Sequence, residues 1–283
     1  MTSVSVITGG AGGMGLATAK VVGRDHTLVL CDVRQDRLDE AARTLAGLGI
    51  TATAVNCDVT DRKAVDGLLE TASALGAIAS VIHTAGVSPT MGSAEYIMRT
   101  NAVGTVNVNE AFFAAAAAAA GDGGAIVNVA SVAAHMLPEN MIPTARFPQA
   151  LHDEDAFMAD MLAACSVVGD EMQSGIAYAV SKSFVRWYSV AQCERFNGKG
   201  LRILSVSPGS IDTEMGQLEA DAGAGAMVAD AEVPRWGKPD EMAALLAFCA
   251  SDKAGYLTGT DILNDGGVIA SMTERARIAA DNG

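Results

Sequence analysis

The chain has 283 residues, half of them hydrophobic, with 33 Asp and Glu against 19 Lys and Arg, a formal net charge of −14. That length and apolar share suit one large α/β domain spanning 1–283, since no Pro- or Ser-rich linker and no internal repeat divides it. The acidic balance argues against nucleic acid and anionic membrane surfaces as partners, and leaves a small-molecule substrate held by local groups untouched.

The first element is a strand over 3–8 (SVSVIT), β-branched and apolar, which runs into GGAGGMG and then a helical stretch at 16–22. Strand, glycine turn and helix form a phosphate-binding unit. Gly9, Gly13 and Gly15 carry no Cβ, so a pyrophosphate can approach the backbone N–H groups and rest at the positive end of the helix dipole. A second apolar strand over 27–31 ends in Asp32, where a dinucleotide fold places the acid that binds the adenosine ribose hydroxyls. A 2′-phosphate beside Asp32 would cost about 1–4 kcal/mol of like-charge repulsion, so NAD is favoured over NADP. Arg34, two residues on, is the counter-argument, because it is placed to turn toward such a phosphate.

Strands and helices continue to alternate. The longest apolar run, 111–120, is too short to span a bilayer and reads as an alanine-rich helix packed closely on a neighbour. Residues 148–168 read as a helix with acids in its first turns, and Asp153, Glu154 and Asp155 as its solvated N-terminus rather than a cation site. In GIAYAVSKSF, Tyr178 and Lys182 stand four residues apart on one helix face. An ammonium beside a phenol favours the phenolate, so Tyr178 is expected to exchange protons near neutrality. On the same helix Phe184, Trp187, Tyr188 and Ala191 form a second stripe, which core or another subunit must cover. The five cysteines are scattered and odd in number, as in a cytoplasmic protein with reduced thiols, and no CxxC pair or histidine spacing suggests a metal site. MTSVSVITGG enters the first strand at once, and no secretory signal fits there.

With Thr8, Gly9, Gly13 and Gly15 in TGGAGGMG, Asp32, and YAVSK at 178–182, the sequence resembles the short-chain dehydrogenase/reductase family over nearly its whole length. The resemblance implies a doubly wound parallel sheet, Rossmann-like, with helices on both faces. It implies that Asp58 of CDVT contacts the adenine, and it adds Met14 and Val59 to the cofactor set. Ala85 and Gly86 of HTAG match the family's NNAG, but His83 and Thr84 replace two asparagines, so the hydrogen bonds tying that turn to the sheet must be remade. It further implies that Asn101 holds a water in a proton relay behind Lys182, and that Ser131 binds the substrate oxygen. Pro208 and Gly209 follow a strand, and Ile211 and Thr213 anchor the nicotinamide carboxamide. Tyr178 is the acid/base, and Lys182 also holds the nicotinamide ribose.

The implied activity is hydride transfer between NAD(H) and a secondary alcohol or ketone, with a hydrophobic, steroid-like or other carbonyl substrate. A β-ketoacyl thioester reductase, a net epimerase or dehydratase, and a non-catalytic NAD-binding sensor are the alternatives. Ser131 and Tyr178 lie further apart than the family usually sets them, which marks an insertion at about 135–175. Its methionines either pack it onto the protein or cover the substrate. A lid over the substrate is expected at 214–233, and a homodimer or homotetramer is expected because relatives pair the Tyr178 helix across a two-fold axis.

Overall fold

Seven runs of β-branched and aliphatic residues form one parallel sheet in the computed structural model, in the order β3-β2-β1-β4-β5-β6-β7. The structure describes residues 2–118, 123–220 and 225–281. The strands are β1 (Ser3–Thr8), β2 (Thr27–Asp32), β3 (Ala52–Asn56), β4 (Ala77–His83), β5 (Gly124–Val129), β6 (Leu201–Pro208) and β7 (Asp261–Asn264). The helices are α1 (Gly13–Val22), α2 (Gln35–Gly47), α3 (Arg62–Leu75), α4 (Ala94–Met98), α5 (Gly104–Ala118), α6 (Glu154–Cys165), α7 (Asp170–Ala191), α8 (Cys193–Asn197), α9 (Glu214–Glu219), α10 (Gly225–Asp230), α11 (Pro239–Ala250) and α12 (Val268–Asp281). Parallel pairing needs a crossover between strands, and these helices supply it on both faces, so the central strands are apolar on both sides. The order reverses between β1 and β4, which opens a crevice beyond the carboxyl ends of the strands.

Two buried clusters flank the sheet. One gathers Val4, Val6, Val81 and Ile126 with residues of α3, α5 and α7, and the other gathers Ile7, Leu30, Ile82 and Val127 with residues of α1, α2 and α11. A buried amide network sets the helices that matter for the site. Asn128 on β5 exchanges hydrogen bonds with Asn109 on α5 at 2.9 and 3.1 Å and donates to Ser189 Oγ on α7 at 3.1 Å. Polar groups at that depth are stable only when satisfied, so the network fixes how α5 and α7 sit on the sheet.

Two expectations change here and a third holds as far as it is described. The first helix starts at Gly13 rather than residue 16, because the last glycines of the loop are already its first turn. The helix expected over 148–168 is confined to α6, where Asp153 caps Ala156 N at 2.9 Å, and Thr144–Leu151 is a tighter 3-10 helix containing Pro148. The alanine-rich helix ends within the described residues at Ala118 and packs on α3, while residues 119 and 120 lie outside them.

The segment 135–175 packs mainly onto its own domain. Phe147, Phe157, Met158, Met161 and Cys165 are buried in the main core. Phe147 meets Phe184 at 5.3 Å and Trp187 at 5.4 Å between ring centroids, and Phe157 meets Phe184 at 5.0 Å. The aromatic stripe on α7 is therefore covered by this chain itself, with Phe184 and Tyr188 fully buried and Ala191 left exposed. Its burial does not call for a second subunit.

Candidate active site and cofactor cleft

At the carboxyl ends of the strands lies a cavity of about 310 Å³, bordered by Met14, Ser131, Tyr178, Lys182, Ile211 and Thr213 among others. It brings together residues from five separate stretches of sequence, four that follow β1, β4, β5 and β6 and a fifth on α7.

The glycine turn is shaped for close approach. Gly9 has φ +62°, and a Cβ there would stand 2.8 Å from Ala85 N, so only glycine lets the β1 and β4 turns touch. A Cβ on Gly13 would meet Thr213 Cγ2 at 2.6 Å, which sets the first turn of α1 against the β6 loop. That turn has no side-chain cap and no acid in it. The amides of Gly13, Met14 and Gly15 therefore point at an anion site without competition, which fits a pyrophosphate. Asp32 closes β2 and accepts from Arg34 N at 3.2 Å, while the Arg34 guanidinium is engaged by Asp36 at 2.5 Å. Asp58 lies exposed, accepting from Thr60 N at 2.8 Å and Thr60 Oγ1 at 2.9 Å, and Val59 beside it is buried.

The HTAG turn is tied down by new bonds. His83 is fully buried, with Nδ1 at 2.7 Å from Thr8 Oγ1 and Nε2 at 3.1 Å from Thr105 Oγ1. Thr84 Oγ1 donates to Thr8 O at 2.6 Å, and Ala85 N donates to Thr8 Oγ1 at 3.3 Å. Burial first, and then the charge of Lys182, pull the His83 pKa down to about 3, so the ring is neutral.

Ser131 follows β5 and caps the short helical turn Val132–His135, accepting from Ala133 N at 3.2 Å. With a lone pair so used, its proton is left to donate. Asn101 sits in a wide π-helical turn, Arg99–Val103, between α4 and α5, a distortion that often marks functional positions. Its side chain accepts from Val87 N at 2.9 Å and donates to Val87 O at 3.0 Å and to Ser181 Oγ at 3.2 Å. Its backbone carbonyl accepts from Thr105 Oγ1 at 2.7 Å. Lys182 is buried and donates to Val129 O at 3.0 Å, with its ammonium 5.8 Å from the Tyr178 ring centroid.

The expected depression of the Tyr178 pKa is not what this environment produces. Burial raises it well above its ordinary value, the charge of Glu219 adds to that, and only the hydrogen bond with Ser131 opposes it. Lys182 is itself lowered to about 8, by burial against the pull of Glu219. Desolvation is the largest influence on both groups.

Pro208 ends β6, Gly209 N donates to Asn264 O at 3.0 Å, and Ile211 pairs with Gly237. Thr213 caps α9, its Oγ1 accepting from Gly216 N at 3.1 Å. Of the segment 214–233, α9 and α10 are described, and Met215, Glu219 and Met227 from them line the cavity; 221–224 lie outside the described residues. Arg275 and Ser271 of α12 bond to Asp230 at 2.6 Å and to Glu232 at 2.5 Å, at the end of α10 and just after it. Met136 is the one insertion methionine among the described residues that borders the cavity. Sequence reasoning did not single out Glu219. The available signal was its i, i+4 spacing from Met215, which has meaning only once both are known to share a helix.

Residues 3–143 match the family model described as short chain dehydrogenase, and 157–269 match that described as Enoyl-(Acyl carrier protein) reductase. The chain is 30% identical to the short-chain dehydrogenase/reductase bsc3 of Alternaria brassicicola, covering 96% of this chain and 98% of that protein. It is 24% identical to the 3-oxoacyl-(acyl-carrier-protein) reductase FabG of Thermotoga maritima, over 94% and 97% of the two chains. A crystal structure of a short-chain type dehydrogenase/reductase from Mycobacterium marinum superposes with TM-score 0.75 at 25% identity, over 94% and 95%. The chain belongs to the short-chain dehydrogenase/reductase family, oxidoreductases that act on CH–OH groups with a nicotinamide cofactor. Among the described residues no helix is long and apolar enough to cross a membrane.

Proposed function

We propose that the protein is an NAD(H)-dependent dehydrogenase of a hydrophobic secondary alcohol or its ketone, with Ser131, Tyr178 and Lys182 as the catalytic residues and Asn101 behind them. The observation that carries this reading is the meeting of Ser131, Tyr178 and Lys182 in one cavity with Met14 of the glycine turn. The first-turn amides of α1 would hold the pyrophosphate, Asp32 the adenosine ribose, Asp58 and Val59 the adenine side, Ala85 and Gly86 the adjoining backbone, and Pro208, Gly209, Ile211 and Thr213 the nicotinamide end. When bound, the nicotinamide supplies the two-electron acceptor or donor.

In ketone reduction the Tyr178 phenol gives its proton to the forming alkoxide, and in alcohol oxidation Tyr178 first loses that proton to the relay and then, as phenolate, takes the hydroxyl proton. Ser131 Oγ donates to the substrate oxygen, where charge develops. Lys182 places a positive charge near the phenol and reaches Val129 O, and Asn101 fixes the Val87 backbone beside it. A water relay from Lys182 would use the second lone pair of the Asn101 carbonyl, since the side-chain amide is already engaged on both atoms.

The pairing of Arg34 with Asp36 supports NAD over NADP, because it engages the guanidinium that would otherwise be placed to turn toward a 2′-phosphate. The Thermotoga relative is the support for a β-ketoacyl thioester as substrate, and the acidic balance of −14 weakens it by opposing an acidic carrier protein. Reduced thiols at all five cysteines support a cytoplasmic setting. A homodimer or homotetramer remains part of the proposal on the family likeness, without the α7 stripe as its reason.

Tyr178→Phe tests the mechanism. Turnover falls by roughly 10²–10⁴ while NADH still binds, as read by nicotinamide fluorescence. Full activity of the variant on every substrate of the parent would sink the reading.

A further inference from the structure

Glu219 is the one acidic residue among those that line the cavity. It shares a face of α9 with Met215, and Val87, Pro89, Met136 and Met227 give the cavity apolar walls. Two other partly buried acids among the described residues, Glu110 and Asp261, are held by several donors each. Glu110 accepts from Tyr188 Oη at 2.7 Å and is forked by Arg195, and Asp261 accepts from Ser205, Ser207 and His135. Glu219 has no hydrogen bond or ion pair among the described residues. Glu219 is half-buried, burial raises its pKa, and a ligand that brings a hydrogen-bond donor would offset the cost of withdrawing the carboxylate from water. Ligand cavities work in this way, with apolar walls for affinity and a few polar groups for orientation.

We propose that Glu219 reads a hydrogen-bond donor on the substrate, a hydroxyl or protonated amine carried on an apolar frame away from the reacting carbon, and excludes substrates bearing a carboxylate there. This deepens the dehydrogenase reading and rests on it. Ser131 and Tyr178 grip the oxygen that reacts, and Glu219 grips the other end, so the frame is held at two points. The titratable groups that act on Glu219 are Lys182, whose charge opposes the effect of burial on it, and Tyr178, and neither of them donates a hydrogen bond to it.

The test uses four secondary alcohols on one frame, bearing a hydroxyl, an ammonium, a hydrogen or a carboxylate at the distal position, with the matching ketones as ligands of the NADH-loaded protein. The wild-type protein prefers the hydroxyl and ammonium compounds over the hydrogen one by about ten- to a hundredfold in kcat/KM and disfavours the carboxylate. Glu219→Ala brings these ratios to about one. Glu219→Gln, an uncharged acceptor, keeps most of the hydroxyl preference, loses the ammonium preference and admits the carboxylate, which separates the two donor sources. The same order of preference in all three proteins, within about twofold, would overturn the inference while turnover upheld the dehydrogenase reading. Ketone binding in the expected order without oxidation of any alcohol would do the opposite.

Discussion

Replacing Lys182 with Met removes a charge from a place where charge is expensive, and the effect can be worked out from its surroundings. The lysine is 6% exposed, and burial lowers its pKa from 10.5 to about 8. The unfolded chain therefore binds the proton more tightly than the native protein, and at pH 7 this difference costs the wild type about 3 kcal/mol. Met keeps the unbranched stem and fills the same space, but it leaves Val129 O without its donor, an offset of about 1 kcal/mol. The expected result is a variant more stable than wild type by about 2 kcal/mol at pH 7 and nearly inactive. Between pH 7 and 9 the native lysine sheds its proton while the unfolded one retains it, so wild-type stability rises relative to the variant by about 1 kcal/mol. Urea unfolding of both cofactor-free proteins at pH 7, 8 and 9 measures this. A stability difference that stays constant across those values, or a variant weaker than wild type at pH 7, would refute the account of a desolvated ammonium.

His83→Asn is expected to flatten the acid side of the stability profile. Because burial holds the native ring neutral down to a pKa of about 3 against an ordinary 6.5, the wild type loses about 2 kcal/mol between pH 7 and 5 as the unfolded chain takes up the proton, and the variant does not; urea midpoints at the two pH values decide it. Phe147→Ala empties the contact with Phe184 and Trp187, and it should cost about 3–5 kcal/mol in chemical denaturation without changing the size of the particle in light scattering. Asp32→Ser should raise the NADP-to-NAD ratio of kcat/KM by about tenfold or more, and an unchanged ratio would remove Asp32 from the cofactor site.

Much of the strand and helix order was legible because most strands are short apolar runs set off by helical stretches, which local pattern records well. The glycine turn, Asp32 and the Tyr178–Lys182 helix were legible for a related reason, since each depends on residues close in sequence. What the pattern did not carry depends on neighbours that arrive from elsewhere. His83 gave no hint that Thr8 and Thr105 would take both of its nitrogens. The stripe on α7 left core and a second subunit both open as its cover, and Phe147 and Phe157 supply that cover from within the chain. The helix α12 lay beyond the last motif, and its role in bracing Asp230 and Glu232 is a contact across about forty residues of chain.

The largest departure concerns the proton rather than the fold. Spacing correctly places an amine near a phenol, but spacing contains no information about desolvation, and here desolvation decides the resting state. With Tyr178 held up and Lys182 brought down to about 8, the group that titrates near neutrality is the lysine. Glu219 acts on both, since its negative charge makes the phenolate harder to form and the ammonium easier to keep. A donor bound to Glu219 would draw off part of that charge and remove one of the two influences that keep the phenol protonated, leaving burial alone. Substrate recognition and acid/base readiness would then be coupled through one carboxylate. That coupling has a signature a purely structural role for Glu219 would lack: the alkaline pKa in the kcat profile of a donor-bearing alcohol should lie below that of its donor-free counterpart, and the gap should close in Glu219→Ala.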